Sequence, residues 1–272
     1  MIKDYNINQE PIMIKRALLS VYDKTKIKEL ALNLAKHNVE IISTGGTAKL
    51  LKKENIAVIE IEEYTNFPEI MDGRVKTINP IVEGGILALR DVHMADMKRN
   101  NIGQIDLVVC NLYPFDSVIK NSDHTLSEAI ENIDIGGPTL VRAAAKNFKD
   151  VTVITDKKDY RYLIEELNKN KGSTGIKFRE KMSCKAFGLT AYYDSVLSNW
   201  FNKKLNILFP EKKTMFGNKI SELRYGENPH QKSSIYINDI SNSEIGLRKI
   251  KGKALSFNNY NDIYTCLLYT SD

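Results

Sequence analysis

Several short segments of this chain set hydroxyls, cations or carboxylates beside glycines, a pairing that suits small anionic ligands. In Ser43-Thr44-Gly45-Gly46-Thr47, the glycines let the backbone turn tightly and aim its N–H groups outward. Hydroxyls flank them, and a helix beginning there would add the positive end of its dipole. The segment can cradle a phosphate, or it can simply be a glycine-rich turn with a threonine cap. Ser20-Val21-Tyr22-Asp23-Lys24-Thr25 is a second passage of the same kind. Its Lys24 either faces a ligand or is solvated behind an Asp23 cap. Arg74-Val75-Lys76-Thr77 follows Met71-Asp72-Gly73. In extended backbone Arg74 and Lys76 share a face, and a guanidinium fork beside an ammonium suits a phosphate dianion. An exposed basic strand edge reads the same way. In Cys110-Asn111-Leu112-Tyr113-Pro114-Phe115, Asn111 and Tyr113 share a face and Pro114 stiffens the turn. Asp134-Ile135-Gly136-Gly137-Pro138 runs on into Arg142-Ala143-Ala144-Ala145-Lys146-Asn147. There a carboxylate can approach a ligand over bare backbone. A lysine behind close-packed alanines can have its pKa lowered for proton transfer, or it can be a surface lysine.

These segments need a frame, and the apolar pattern supplies one. Arg16 to Val21, Val39 to Ser43, Val58 to Ile61, Ile105 to Cys110 and Val151 to Ile154 read as strands. Ile27, Leu30, Ala31, Leu34 and Ala35 recur at helical spacing within Lys26 to His37. Thr47 to Lys53, Thr125 to Ile133 and Thr139 to Lys146 are further helices. Strand alternating with helix implies an α/β fold, a doubly wound parallel sheet covered on both faces. Asp156 can cap a helix carrying Tyr160 to Leu167. Ser173 and Thr174 can cap a longer one that ends near Lys204. Residues 1–13 are polar and aperiodic, a flexible extension. Phe209 to Lys213 reads as a linker, after which the pattern changes to short mixed segments.

Composition narrows the function classes. The 272 residues are 42% hydrophobic and 27% charged, ordinary values for a globular enzyme. Lys+Arg 39 against Asp+Glu 34 leaves a net charge of +5. That favours a small anionic ligand and is too little and too evenly mixed for nucleic acid. Cys110, Cys184 and Cys266 share no close spacing, so they imply neither a disulfide framework nor a metal site, and a reducing cytoplasm is expected. No apolar run reaches membrane-spanning length, and no signal peptide is expected.

Each segment is weak evidence alone; their order is more specific. LLSVYDKT, ISTGGTAKLL, MDGRVKT, VVCNLYPF, IDIGGPTLVRAAAKN and LRYGENPHQ together resemble the bifunctional purine-biosynthesis proteins that combine IMP cyclohydrolase with AICAR transformylase. The likeness runs from about Ile14 to about Asp262. It implies a methylglyoxal-synthase-like domain over 14–155, a helical extension over 156–208 completing the cyclohydrolase, and an incomplete transformylase domain over 209–272. It implies nucleotide contacts, chiefly to phosphate, from Tyr22, Asp23, Lys24, Ser43, Thr44, Gly45, Gly46, Arg74, Val75, Lys76 and Thr77. The family usually has a small residue where Tyr22 stands, which leaves that contact to the backbone. Cys110, Asn111, Asp134 and Ile135 would frame base and ribose.

The catalytic group implied is Lys76, Tyr113, Asp134 and Lys146. Arg224 and Tyr225 match AICAR-binding residues of the second domain. The expected reaction closes 5-formamidoimidazole-4-carboxamide ribotide to IMP, with Asp134 and Lys146 moving protons and Lys76 and Tyr113 stabilising the oxyanion. It needs no metal or cofactor. 10-Formyltetrahydrofolate is the co-substrate of the full-length transformylase, an activity not expected of this chain. A homodimer is also implied. A methylglyoxal synthase would be expected to stop near the end of the sheet unit. A nucleotide-sensing regulatory module would keep the phosphate loops and dispense with Tyr113 and Lys146.

Overall fold

A computed structural model describes residues 10–238 and 250–270. In chain order the elements are β1 (Ile12–Met13), β2 (Arg16–Val21), α1 (Ile27–Lys36), β3 (Glu40–Ser43), α2 (Gly45–Lys53), β4 (Ile59–Glu60) and α3 (Ile61–Thr65). A 3-10 turn at Met71–Gly73 precedes α4 (Pro80–Leu87), α5 (Met94–Arg99), β5 (Leu107–Asn111), α6 (Phe115–Lys120), α7 (Leu126–Glu131) and α8 (Gly136–Lys146). Then come β6 (Thr152–Ile154), α9 (Tyr160–Lys169), β7 (Ser173–Thr174), α10 (Ile176–Lys204), β8 (Asn218–Glu222), β9 (Ser234–Ile237) and α11 (Phe257–Thr270).

The chain divides into two compact units: residues 1–118 with 123–191, and residues 119–122 with 192–272. The first holds a five-stranded parallel sheet in the order β4-β3-β2-β5-β6. Its strands are apolar runs because both faces are covered: Ala17, Leu18, Leu19, Leu107 and Val108 are fully buried. Full burial of each Leu or Val side chain contributes about 1.5–3 kcal/mol by leaving water. Ile27, Leu30, Ala31 and Leu34 put the apolar face of α1 into the same core. The sequence winds outward from β2 through β3 to β4, then returns to β5 on the other side of β2. The winding therefore reverses between β2 and β5. Their carboxyl ends splay a crevice there, in register at Ser20 with Cys110 and Val21 with Asn111.

Several elements depart from the sequence reading. The two glycine pairs were expected as turns ahead of helices starting at Thr47 and Thr139. Instead Gly45-Gly46 and Gly136-Gly137 form the first turns of α2 and α8. Glycine is a poor helix former in a helix interior but costs little at an end where caps and turns set the backbone. Ser173 and Thr174 do not cap α10. They form β7, which pairs with Ile12 and Met13, so the expected N-terminal extension is ordered in a strand at its last residues; residues 1–9 lie outside the described residues. Helix α4 escaped notice because its apolar residues show little face preference. Its start is nevertheless written in the sequence: Asn79 Oδ1 accepts from the N–H of Ile81 at 2.8 Å, and Pro80 follows at the first helical position.

Glu83 on α4 has a buried Oε1 with no hydrogen-bond partner, and burial raises its pKa above 4.5. Its charged form is therefore penalised in the fold. The stability it contributes is full below the unfolded value and is lost as pH rises through the folded one. Glu83→Gln should melt a few degrees above the parent at neutral pH, with the gap closing below pH 4.5. A gap independent of pH in thermal melts would refute this.

The second unit contains the end of α10, the antiparallel pair β8–β9 and helix α11. Among the described residues no helix is long and apolar enough to cross a membrane.

Candidate active site

The crevice at the carboxyl ends of β2 and β5 is a cleft of about 680 Å³. Its walls come from all the motifs of the first unit, brought together by the parallel sheet. Lys24, Thr44, Gly45, Gly46, Arg74, Lys76, Thr77, Cys110, Asn111, Tyr113, Asp134 and Ile135 line it, as does Tyr22. Ser43, Asp23, Val75 and Lys146 do not.

One end is cationic. The first turn of a helix leaves its N–H groups without intrahelical acceptors, and α2 presents those of Gly45 and Gly46 here. Lys24 folds over Gly46. A Cβ at Gly46 would lie 3.4 Å from Lys24 Cε. Lys24 Nζ donates to the Tyr22 carbonyl at 3.2 Å, and among the described residues it has no acidic partner. The other cations are engaged. Lys76 Nζ pairs with Glu69 Oε1 at 2.9 Å, and Arg74, largely exposed, pairs with Glu131. Gly73 accommodates Lys76: its φ is +88, and a Cβ there would stand 3.0 Å from Lys76 Nζ and 2.5 Å from Glu69 Oε1. Thus three cations and a helix N-terminus face one end, with Lys24 the one lacking a carboxylate.

Asp134, just before α8, lines the same cleft. Its Oδ1 accepts from Gly137 N–H at 2.8 Å and its Oδ2 from Tyr113 N–H at 3.2 Å. Burial raises the Asp134 pKa, and the two backbone N–H bonds only partly offset that rise. Cys110 beneath it is buried, and burial with the nearby Asp134 charge pushes its thiol far above the thiolate range. It is therefore a neutral wall rather than a nucleophile.

Gly137 has to be glycine here. A Cβ would lie 2.4 Å from Asp134 Oδ2 and 2.8 Å from Leu112 Cδ2. Gly137→Ala should displace the carboxylate and lower turnover roughly 10- to 100-fold, as small misplacements of reacting groups do. The check is steady-state kinetics beside a thermal melt showing that the variant folds. Unchanged turnover would mean that the placement of Asp134 is not critical.

Four residues expected at the site have other work. Ser43 is fully buried and donates to the Leu19 carbonyl at 2.7 Å, stapling β3 to β2. Asp23 turns away: it accepts from Thr25 N–H and pairs with Lys157 Nζ at 2.8 Å, holding its carboxyl well below the usual range. Val75 bridges back to Ile70. Lys146 is exposed at the last turn of α8. Ten residues of helix separate it from Gly136, about 15 Å at the helical rise. Within one chain Lys146 therefore stands at the far end of the helix that Asp134 precedes, outside the lining of the cleft.

Asn111 lines the cleft, but most of its amide is spent on the fold. Its Oδ1 accepts from Tyr22 and Asp23 N–H at 2.7 and 2.9 Å, and its Nδ2 donates to the Asp23 carbonyl at 3.0 Å. It fixes the β2–α1 loop that carries Lys24. Glu69, Glu131 and Asp72 also belong to the site or its ion pairs. Nothing in their spacing announces them, because their partners are chosen by the fold.

In the second unit, Arg224 lies over the Tyr225 ring at 4.8 Å. Arg224 N–H donates to the Leu255 carbonyl, and Phe257 N–H to that of Tyr225. Hydrogen bonds from Ser256 and Arg224 lower the Tyr225 phenol pKa.

Comparison with known proteins agrees with this architecture. A model of the MGS-like domain matches residues 26–139, and one of the AICARFT/IMPCHase bienzyme matches residues 144–272. The chain is 46% identical over 267 residues to the "Bifunctional purine biosynthesis protein PurH" of Bradyrhizobium diazoefficiens, covering 96% of this chain and 50% of that protein. It is 49% identical over 253 residues to the protein of that name from Lactobacillus acidophilus, covering 92% and 49%. Among solved structures, the crystal structure of ForH superposes with a TM-score of 0.62 at 31% identity, covering 69% of this chain and 97% of that one. The chain spans about half the length of the curated relatives it matches. An MGS-like sheet unit followed by a bienzyme segment, with the family's motifs converging on one cleft, places the chain in the AICARFT/IMPCHase family of bifunctional purine-biosynthesis proteins.

Proposed function

We propose that this chain is an IMP cyclohydrolase, closing the formamido-carboxamide ribotide to IMP with loss of water. The supporting observation is one cleft whose lining combines cations and a bare helix N-terminus with a carboxylate. Lys24, Gly45 and Gly46 at the start of α2, and Asp134, whose pKa burial raises, all line it.

In this reading the substrate phosphate sits against Gly45, Gly46 and Lys24. The carboxamide nitrogen attacks the formyl carbon. Amide resonance makes that nitrogen a poor nucleophile, so a base that takes its proton as the bond forms lowers the barrier. Asp134 takes that proton. Charge gathers on the former formyl oxygen, where Lys76 and the Tyr113 hydroxyl stabilise it. That oxygen then leaves as water, carrying the carboxamide proton returned by Asp134 and the proton of the formamido nitrogen, whose lone pair forms the new C=N bond. Holding the two arms of the substrate together supplies much of the rate, since intramolecular proximity is worth about 7–11 kcal/mol. Only protons move, so the step calls for no redox group.

Formyl transfer from 10-formyltetrahydrofolate belongs, in this reading, to the full-length proteins of the family. Arg224 and Tyr225 would serve AICAR there. We carry the homodimer and the cytoplasmic location as parts of the same proposal.

The test supplies purified chain with the formylated ribotide and follows IMP, with AICAR plus 10-formyltetrahydrofolate in a parallel arm. IMP from the first arm is expected. Binding of the ribotide without turnover would favour a nucleotide-sensing module instead.

A further inference from the structure

Two exposed tyrosines meet at the mouth of the cleft. Tyr22 leaves the end of β2 and Tyr113 follows the end of β5. Their ring centroids are 5.4 Å apart at an interplanar angle of 67°. That edge-to-face arrangement sets the positive edge of one ring against the negative face of the other. Tyr22 is 51% exposed and Tyr113 41%. Rings so exposed gain little from burial, so their contact calls for another explanation.

The two are held very differently. The Tyr22 backbone is clamped on both sides: its N–H donates to Asn111 Oδ1 at 2.7 Å, and its carbonyl accepts from Lys24 Nζ at 3.2 Å. The Tyr113 backbone is tied to Asp134 Oδ2, but its phenol makes no hydrogen bond among the described residues. The Tyr22 ring packs edge-to-face against the Tyr113 ring, a contact that can limit its torsions. We propose that Tyr22 is a positioning residue that holds the Tyr113 ring over the cleft, keeping its hydroxyl aimed at the oxygen that gathers charge during ring closure. The part played by Tyr113 rests on the cyclohydrolase reading; the restraint of its ring does not.

An edge-to-face pair shifts a conformational population roughly 2- to 12-fold. Tyr22→Ala should therefore lower kcat by about that factor while IMP affinity, read by calorimetry, stays within two-fold. Tyr22→Phe keeps the ring and should restore kcat. In a Tyr113→Phe background, Tyr22→Ala should cost nothing more, because there is no hydroxyl left to aim. A second readout is independent of turnover: 3-fluorotyrosine placed at position 113 and observed by fluorine resonance. Its signal should move towards the solvent-exposed value in Tyr22→Ala and stay put in Tyr22→Phe. An unmoved resonance in Tyr22→Ala overturns the proposal. So does weakened IMP binding with kcat intact, which would make Tyr22 a direct nucleotide contact. If the parent chain makes no IMP, the cyclohydrolase reading fails, and the fluorine signal still decides whether Tyr22 restrains Tyr113.

Discussion

Asp134→Asn should lower turnover by about 10²–10⁴ while IMP binds almost as before, the pattern of a proton-transfer group removed from the transition state. The substitution is nearly isosteric. An amide oxygen can still accept from Gly137 N–H, so the start of α8 should keep its geometry. What is lost is basicity. The pH profile offers an independent check. Burial lifts the Asp134 pKa above its ordinary 3.8, and the carboxylate must be ionised to act as base. Activity should therefore fall as pH drops through that raised value, giving an acidic limb above the range of a free aspartate. Fluorimetric or absorbance assays over pH, paired with calorimetry, measure both. Turnover within a few-fold of the parent would remove Asp134 from the chemistry.

Lys24→Ala should have the largest effect on binding, weakening IMP by about 10- to 100-fold, the worth of a hydrogen bond to a charged group. Arg74→Ala should weaken it less. The reason is competition. To reach a phosphate, Arg74 must leave Glu131, and Lys76 must share itself with Glu69, whereas Lys24 has no carboxylate partner among the described residues. Arg74 is also the more exposed, where ion pairing is weak and screened by salt. Titration of IMP into each variant by calorimetry gives the ordering directly. Equal losses in the two variants, or none in Lys24→Ala, would break the account of the phosphate end.

The fold was largely legible because short apolar runs mark strands covered on both faces and period-3.6 apolar patterns mark helices. The buried strands β2 and β5 and the stripe on α1 were readable to within a residue or two. What a sequence pattern lacks is the partner. Ser43 carries a hydroxyl in a phosphate-like motif, yet it donates to Leu19 in the core, and only the β2–β3 register reveals that. Asp23 looked like a ligand residue until Lys157, remote in sequence, came beside it. Lys146 looked like a neighbour of Asp134 because they share a motif, but a helix converts that spacing into distance. The glycine pairs carried the reverse lesson. They read as turns on propensity, and they are helix starts because glycine costs little in a first turn, where its bare backbone lies open to the cleft.

The central claim is that the cleft between β2 and β5 closes the ring with Asp134 as base. A single-turnover experiment tests it most directly. Chain in excess is mixed with the formylated ribotide, quenched at intervals and analysed for IMP. The account predicts IMP rising in one exponential with the parent chain. With Asp134→Asn it predicts bound, unconverted ribotide. IMP absent with the parent, or formed equally fast by Asp134→Asn, would contradict it.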